Sequence, residues 1–114
     1  MKREVADYVE DIINAMNNAM NFVKDISYEE FIRDDKTAFA VVRALEIIGE
    51  AVKNIPDGLR KKYPEIPWND MAGMRDKLIH EYFGVRLSIV SKAVKEEIPP
   101  LKPLFERILR DLEG

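Results

Sequence analysis

The chain has 114 residues, 46% of them hydrophobic and 34% charged, with a formal net charge of −3. This size and apolar fraction suit one domain with a substantial core, and the nearly balanced charge describes a globular surface rather than a disordered tail. A net acidic chain lacks the broad basic surface of a duplex-binding protein, so any nucleic-acid contact must be local.

Cys is absent, which excludes disulfides, thiolate metal sites and a Cys nucleophile. No apolar run approaches the ~18 residues of a membrane span, and the opening MKREVADYVED carries no apolar signal-peptide core. A cytoplasmic location without membrane contact is therefore expected. Gln is absent as well, which together with the dense charge accords with a heat-adapted source.

Apolar residues at Val5, Tyr8, Val9, Ile12, Ile13, Met16, Met20 and Val23 predict a helix from Arg3 to about Lys24. Asn14, Asn17, Asn18 and Asn21, poor helix formers, read as solvent-facing positions on it. The run Ser27-Tyr28-Glu29-Glu30 has the form of a capping box, opening a short turn from Tyr28 to Ile32. Asp34 or Asp35 then caps a helix reaching about Asn54, with Phe39, Val42, Leu45, Ile48, Ala51 and Val52 at helical spacing. Gly49 lies inside that helix, where it costs roughly 1 kcal/mol against Ala; close approach of another helix would explain it. Arg43, Glu46 and Glu50 follow one strip at i, i+3 and i+7, either as surface ion pairs or as the polar wall of a cleft.

The segment Asn54 to Gly58 breaks the helix, and Leu59 to Tyr63 forms at most one turn. Arg60-Lys61-Lys62 is the densest basic run, a solvated face or a phosphate contact. Trp68, just after Pro67, reads as a core anchor whose N–H needs a partner. Asn69 or Asp70 caps the next helix, which closes near Phe83-Gly84. A further helix spans Arg86 to Glu97, Pro99-Pro100 interrupts it, and a last helix runs from Leu101 to Leu112. No stretch alternates as a strand does. One domain over residues 1–114 follows, an all-α, up-and-down bundle of four to five helices.

The chemistry concentrates in Met74 to Gly84, MRDKLIHEYFG, which holds His80, the one His of the chain. At about 100° per residue, Arg75 falls in the middle of an apolar stripe of Met71, Leu78, Ile79 and Tyr82. Asp76 and His80 stand i,i+4, so the carboxylate can orient the imidazole. An Arg centred on such a stripe must have its donors satisfied. Glu46 or Glu50 could do so within the chain, and an anion could do so in a cleft or subunit interface. A single His with scattered carboxylates does not make a zinc site, and neither a phosphate loop nor a dinucleotide fingerprint occurs. No metal and no cofactor are expected, and acid–base chemistry would rest on His80.

Arg75-Asp76-x-x-x-His80-x-Tyr82 resembles the signature of the HEPN superfamily, specifically its HepT-like toxins. Arg43-x-x-Glu46, Ile48-Gly49-Glu50-Ala51, Ile66-Pro67-Trp68, Gly73-Met74-Arg75 and Ile98-Pro99-x-Leu101 are similar to that family in order and spacing, so the likeness covers nearly the whole chain. The resemblance implies a HEPN-like helical bundle and a metal-independent ribonuclease toxin with its site in a homodimer cleft. Arg75 would bind the scissile phosphate, His80 would act as general acid or base, and Asp76 would orient them. Tyr82 would be the residue to which a partner MntA-like nucleotidyltransferase antitoxin adds AMP. Arg43, Glu46, Glu50 and Lys77 would line the cleft or touch RNA. The alternative is a non-catalytic helical subunit that binds substrate or nucleotide for a nucleotidyltransferase.

Overall fold

The computed structural model describes residues 3–80 and 87–114, and for residues 77–80 the backbone alone. Among these residues every regular element is helical: α1 (Val5–Phe22), α2 (Tyr28–Arg33), α3 (Asp35–Lys53), α4 (Asp57–Arg60), α5 (Trp68–His80), α6 (Leu87–Lys92) and α7 (Ile98–Glu113), with a π-helical turn at Ala93–Glu97. The expected all-α, HEPN-like bundle is what forms. Its long members are α1, α3, α5 and the path through α6, the π turn and α7.

Local signals explain most boundaries. Glu4 and Asp7 form a reciprocal capping box at the start of α1, with the Glu4 amide donating to Asp7 Oδ2 at 2.9 Å. Ser27 and Glu30 form the expected box at α2. Asp34 caps α3, accepting from the Thr37 amide at 3.1 Å and from its hydroxyl at 2.6 Å. These bonds, the hydroxyl first, hold the Asp34 carboxyl below its ordinary pKa. Between α1 and α2 the chain turns at Asp25, whose φ of 61° an Asp tolerates better than most residues.

Three boundaries differ from the sequence reading. The turn expected from Leu59 to Tyr63 is α4 at Asp57–Arg60, because Pro56 presets the entry and the Asp57 carboxylate suits a first turn. The helix expected to be capped by Asn69 or Asp70 starts at Trp68, with the Met71 amide bonded to the Pro67 carbonyl at 3.0 Å. Pro99-Pro100, expected to interrupt the helix before the last one, does not break the helical path. Lys92, Glu97 and Ile98 all keep right-handed helical angles, and the Ile98 amide reaches back to the Ala93 carbonyl in a wider turn. Both prolines then occupy the first turn of α7, where missing amide hydrogens leave no bond unmade. The expected end of α5 near Phe83-Gly84 lies outside the described residues.

Val9, Ile12, Met16 and Ala19 of α1, Phe31 of α2, Val41, Leu45, Ile48 and Val52 of α3, and Phe105 and Ile108 of α7 form one buried core. Helix α1 packs on α3 and α7, and α3 packs on α5. Trp68 anchors the near end of α5 as expected. It is buried, meets the Phe105 ring edge-on at 5.5 Å, and donates its indole N–H to the carbonyls of Tyr63 (3.1 Å) and Arg60 (3.2 Å). The Tyr63 hydroxyl donates to Asp111, which with burial raises its pKa, and Arg107 pairs with Glu65 at 2.7 Å. The segment leading into α5 is thus tied to α7 by three side chains.

Gly49 sets the spacing of α3 and α5. A Cβ there would lie 2.6 Å from Cβ of Arg75, 3.0 Å from its amide nitrogen and 3.2 Å from its Cα. None of these atoms is a flexible tip, so relief requires moving α5 itself. Gly49→Ala gains about 1 kcal/mol of helix propensity but meets an overpacking cost of about 1–3 kcal/mol, and this contact sits at the severe end. The variant should therefore unfold at lower urea than the wild type, and a midpoint equal to or above wild type would show that α5 is free to shift.

Candidate active site

The close approach at Gly49 lays the charged side chains of α3 and α5 along the edge of the contact. On α3 the strip is Arg43, Glu46 and Glu50, and it continues to Lys53 at i+10. On α5 it is Arg75 and Asp76. Arg43 Nη1 lies 3.2 Å from Glu46 Oε2 and 3.8 Å from Glu50 Oε1. Arg75 Nε donates to that same Glu50 Oε1 at 3.2 Å, so one carboxylate joins the two arginines. Arg75 Nη1 lies 3.3 Å from Asp76 Oδ1, and Lys53 Nζ donates to both Asp76 oxygens at 2.9 Å.

The guanidinium of Arg75 is therefore held on two edges by two carboxylates, while its Nη2 makes no hydrogen bond among the described residues. Its side chain is 34% exposed. Of the two partners considered for it within the chain, Glu50 is the one used, and Glu46 pairs with Arg43 instead. The bond to Glu50, and secondarily that to Asp76, raises the Arg75 pKa further above its ordinary value and keeps it cationic. The Lys53 bond, followed in weight by the Arg75 contact, holds the Asp76 carboxyl below its usual range.

Arg43, Glu46, Glu50, Arg75 and Asp76 are thus brought into one network. Backbone atoms place Lys77 and His80 on α5, with His80 one turn beyond Asp76. Their side chains lie outside the described residues, as does all of Tyr82, so the expected contact of Asp76 with the imidazole does too. Sequence reasoning missed Lys53, although extending the i, i+3, i+7 strip by three residues finds it. The basic run divides by role. Arg60 closes the end of α3, donating from Nε to the Ile55 carbonyl (3.0 Å) and from Nη2 to the Val52 carbonyl (2.8 Å), whereas Lys61 and Lys62 are exposed. Among the described residues no three His, Cys, Asp or Glu side chains are grouped to hold a metal ion, and no helix is long and apolar enough to cross a membrane.

An arginine fixed between two carboxylates, with Nη2 unpaired among the described residues, has the donor geometry to bind a phosphodiester. A model of the HepT-like ribonucleases matches residues 12–108, and the chain belongs to that family of enzymes. It is similar to the "Probable ribonuclease HepT" of Thermococcus cleftensis, at 56% identity over 95% of this chain and 98% of that one. A protein of Methanocaldococcus jannaschii named as a candidate RNase is 52% identical over 98% of this chain and 97% of its own. Another so named, from Caldanaerobacter subterraneus subsp. tengcongensis, is 48% identical over 90% and 92%. No solved structure gives a significant match.

The depressed Asp76 pKa has a signed consequence for stability. The folded chain holds this carboxylate ionised to lower pH than the unfolded chain does. Its pairing therefore stabilises the fold above about pH 4 and is lost as pH falls through the lowered folded value. Asp76→Asn should flatten the stability profile below about pH 4 in urea unfolding, and high salt should weaken the wild-type slope because the pair is solvent-exposed. An Asn variant with the unchanged acid slope would assign that slope to other carboxylates.

Proposed function

We propose that this protein is the toxin of a toxin–antitoxin pair, a metal-independent ribonuclease acting at an Arg75/His80 site in a homodimer cleft. Membership in the HepT-like ribonuclease family supports this reading, and the observation that carries the site is the fixed Arg75 fork, whose Nη2 is unpaired among the described residues. RNA supplies its own nucleophile. His80 accepts the 2′-hydroxyl proton, O2′ bonds to phosphorus, the bond from phosphorus to O5′ breaks, and the imidazolium returns that proton to the leaving O5′. Arg75 stabilises the charge that gathers on the phosphoryl oxygens, and Asp76 orients the site. No redox partner is required, and atoms balance with a cyclic phosphate and a 5′-hydroxyl as products.

Control falls on Tyr82, two residues beyond His80. A partner MntA-like nucleotidyltransferase antitoxin adds AMP to its hydroxyl, and the added anion repels RNA phosphate from the cleft. The chain acts in the cytoplasm, where both its RNA substrate and its partner are found.

Purified protein should cleave RNA in EDTA. Arg75→Ala and His80→Ala should each lower the rate by about 100-fold or more, the usual weight of one charge-stabilising or acid–base group, with helicity and oligomeric state unchanged. Cleavage at wild-type rate by either variant would refute the assigned role. Intact mass after coexpression with the transferase should rise by one or more AMP units, and the increase should vanish in Tyr82→Phe.

A further inference from the structure

We infer that Lys53 is a positioning residue of this site: by engaging both oxygens of Asp76 it keeps that carboxylate from closing on the Arg75 guanidinium, so that Nη2 stays open to phosphate. The inference rests on the ribonuclease reading above and adds to it a residue outside the motif.

Asp76 neighbours Arg75 in the chain, and its Oδ1 already lies 3.3 Å from Nη1. A carboxylate beside a guanidinium favours a two-bond, fork-to-fork pair, which here would consume Nη2, the nitrogen of Arg75 left unpaired among the described residues. That pair is not made. Both Asp76 oxygens lie 2.9 Å from the Lys53 ammonium, and Arg75 Nε is taken by Glu50 instead. The compact ammonium can hold both oxygens at once.

Lys53 is placed to do this by the same helix face that carries Glu50, three residues before it in α3. Charge adds a second effect in the same direction. Arg43, Lys53 and Arg75 balance Glu46, Glu50 and Asp76, and every one of these groups joins the network. Removing Lys53 leaves the strip net negative where an anionic substrate must bind, and it frees Asp76 to turn towards Arg75.

Steady-state RNA cleavage by wild type, Lys53→Met, Lys53→Arg, Asp76→Asn and the Lys53→Met/Asp76→Asn double variant tests this, with circular dichroism to establish that each is folded. Lys53→Met should lower kcat/KM on the order of tenfold, as for other groups that act by orienting a catalytic side chain. Lys53→Arg should restore most of the loss. In the Asp76→Asn background the same Met substitution should cost less than about twofold, since no carboxylate remains to be restrained. An equal loss in both backgrounds would overturn the inference and make Lys53 a direct RNA contact. Unchanged kcat/KM in folded Lys53→Met would overturn it as well. A wild type that cleaves no RNA would instead refute the ribonuclease reading, and this inference with it.

Discussion

The approach of α5 to α3 at Gly49 is the constraint on which the rest depends. With no Cβ on Gly49, the backbone of Arg75 comes against α3, and the long side chain of Arg75 has no room to lie between the helices. It must run along the edge, where Glu50 meets it. A glycine that looks costly for helix formation is thus what puts an arginine beside a carboxylate on another helix. The tie of Trp68 to Phe105 and to the carbonyls of Arg60 and Tyr63 fixes the near end of α5, so the approach is held from two points along the helix.

The molecule uses its arginines in two distinct ways. Arg60 donates to main-chain carbonyls at the end of α3, and its ring contact with Trp68 makes it part of the scaffold. Arg75 donates to carboxylates, and one of its nitrogens has no partner among the described residues. Neutral carbonyls accept from Nε and Nη2 of the first arginine and tie it to the end of α3. Charged partners on the second hold its plane in place and leave an edge that an anion can use. In a chain of net charge −3, the orientation of this one guanidinium is thus fixed by its neighbours rather than by a broad basic surface.

Much of the architecture was legible in the residues. The apolar spacing of α1 and α3, the Ser27 box, the Asp34 cap and the burial of Trp68 all follow from local periodicity and from polar groups that find partners within a turn. The errors arose where a local rule met a tertiary alternative. Pro99 and Pro100 would break a helix interior, yet the π turn ahead of them places both in the first turn of α7, and the core residues Val94, Ile98 and Phe105 keep the path helical. Lys53 lies on the α3 strip, but its partner is 23 residues away, and no spacing within α3 reveals a carboxylate on α5.

The sequence by itself determined the helical class and the requirement that Arg75 find a counter-charge, because periodicity and the cost of an unpaired cation are local properties of the chain. Tertiary structure alone decided which carboxylate meets which edge of that arginine, that Lys53 takes Asp76, and that Gly49 serves Arg75. Those are facts of distance between α3 and α5, and the packing of two helices, rather than the order of residues within either, sets them.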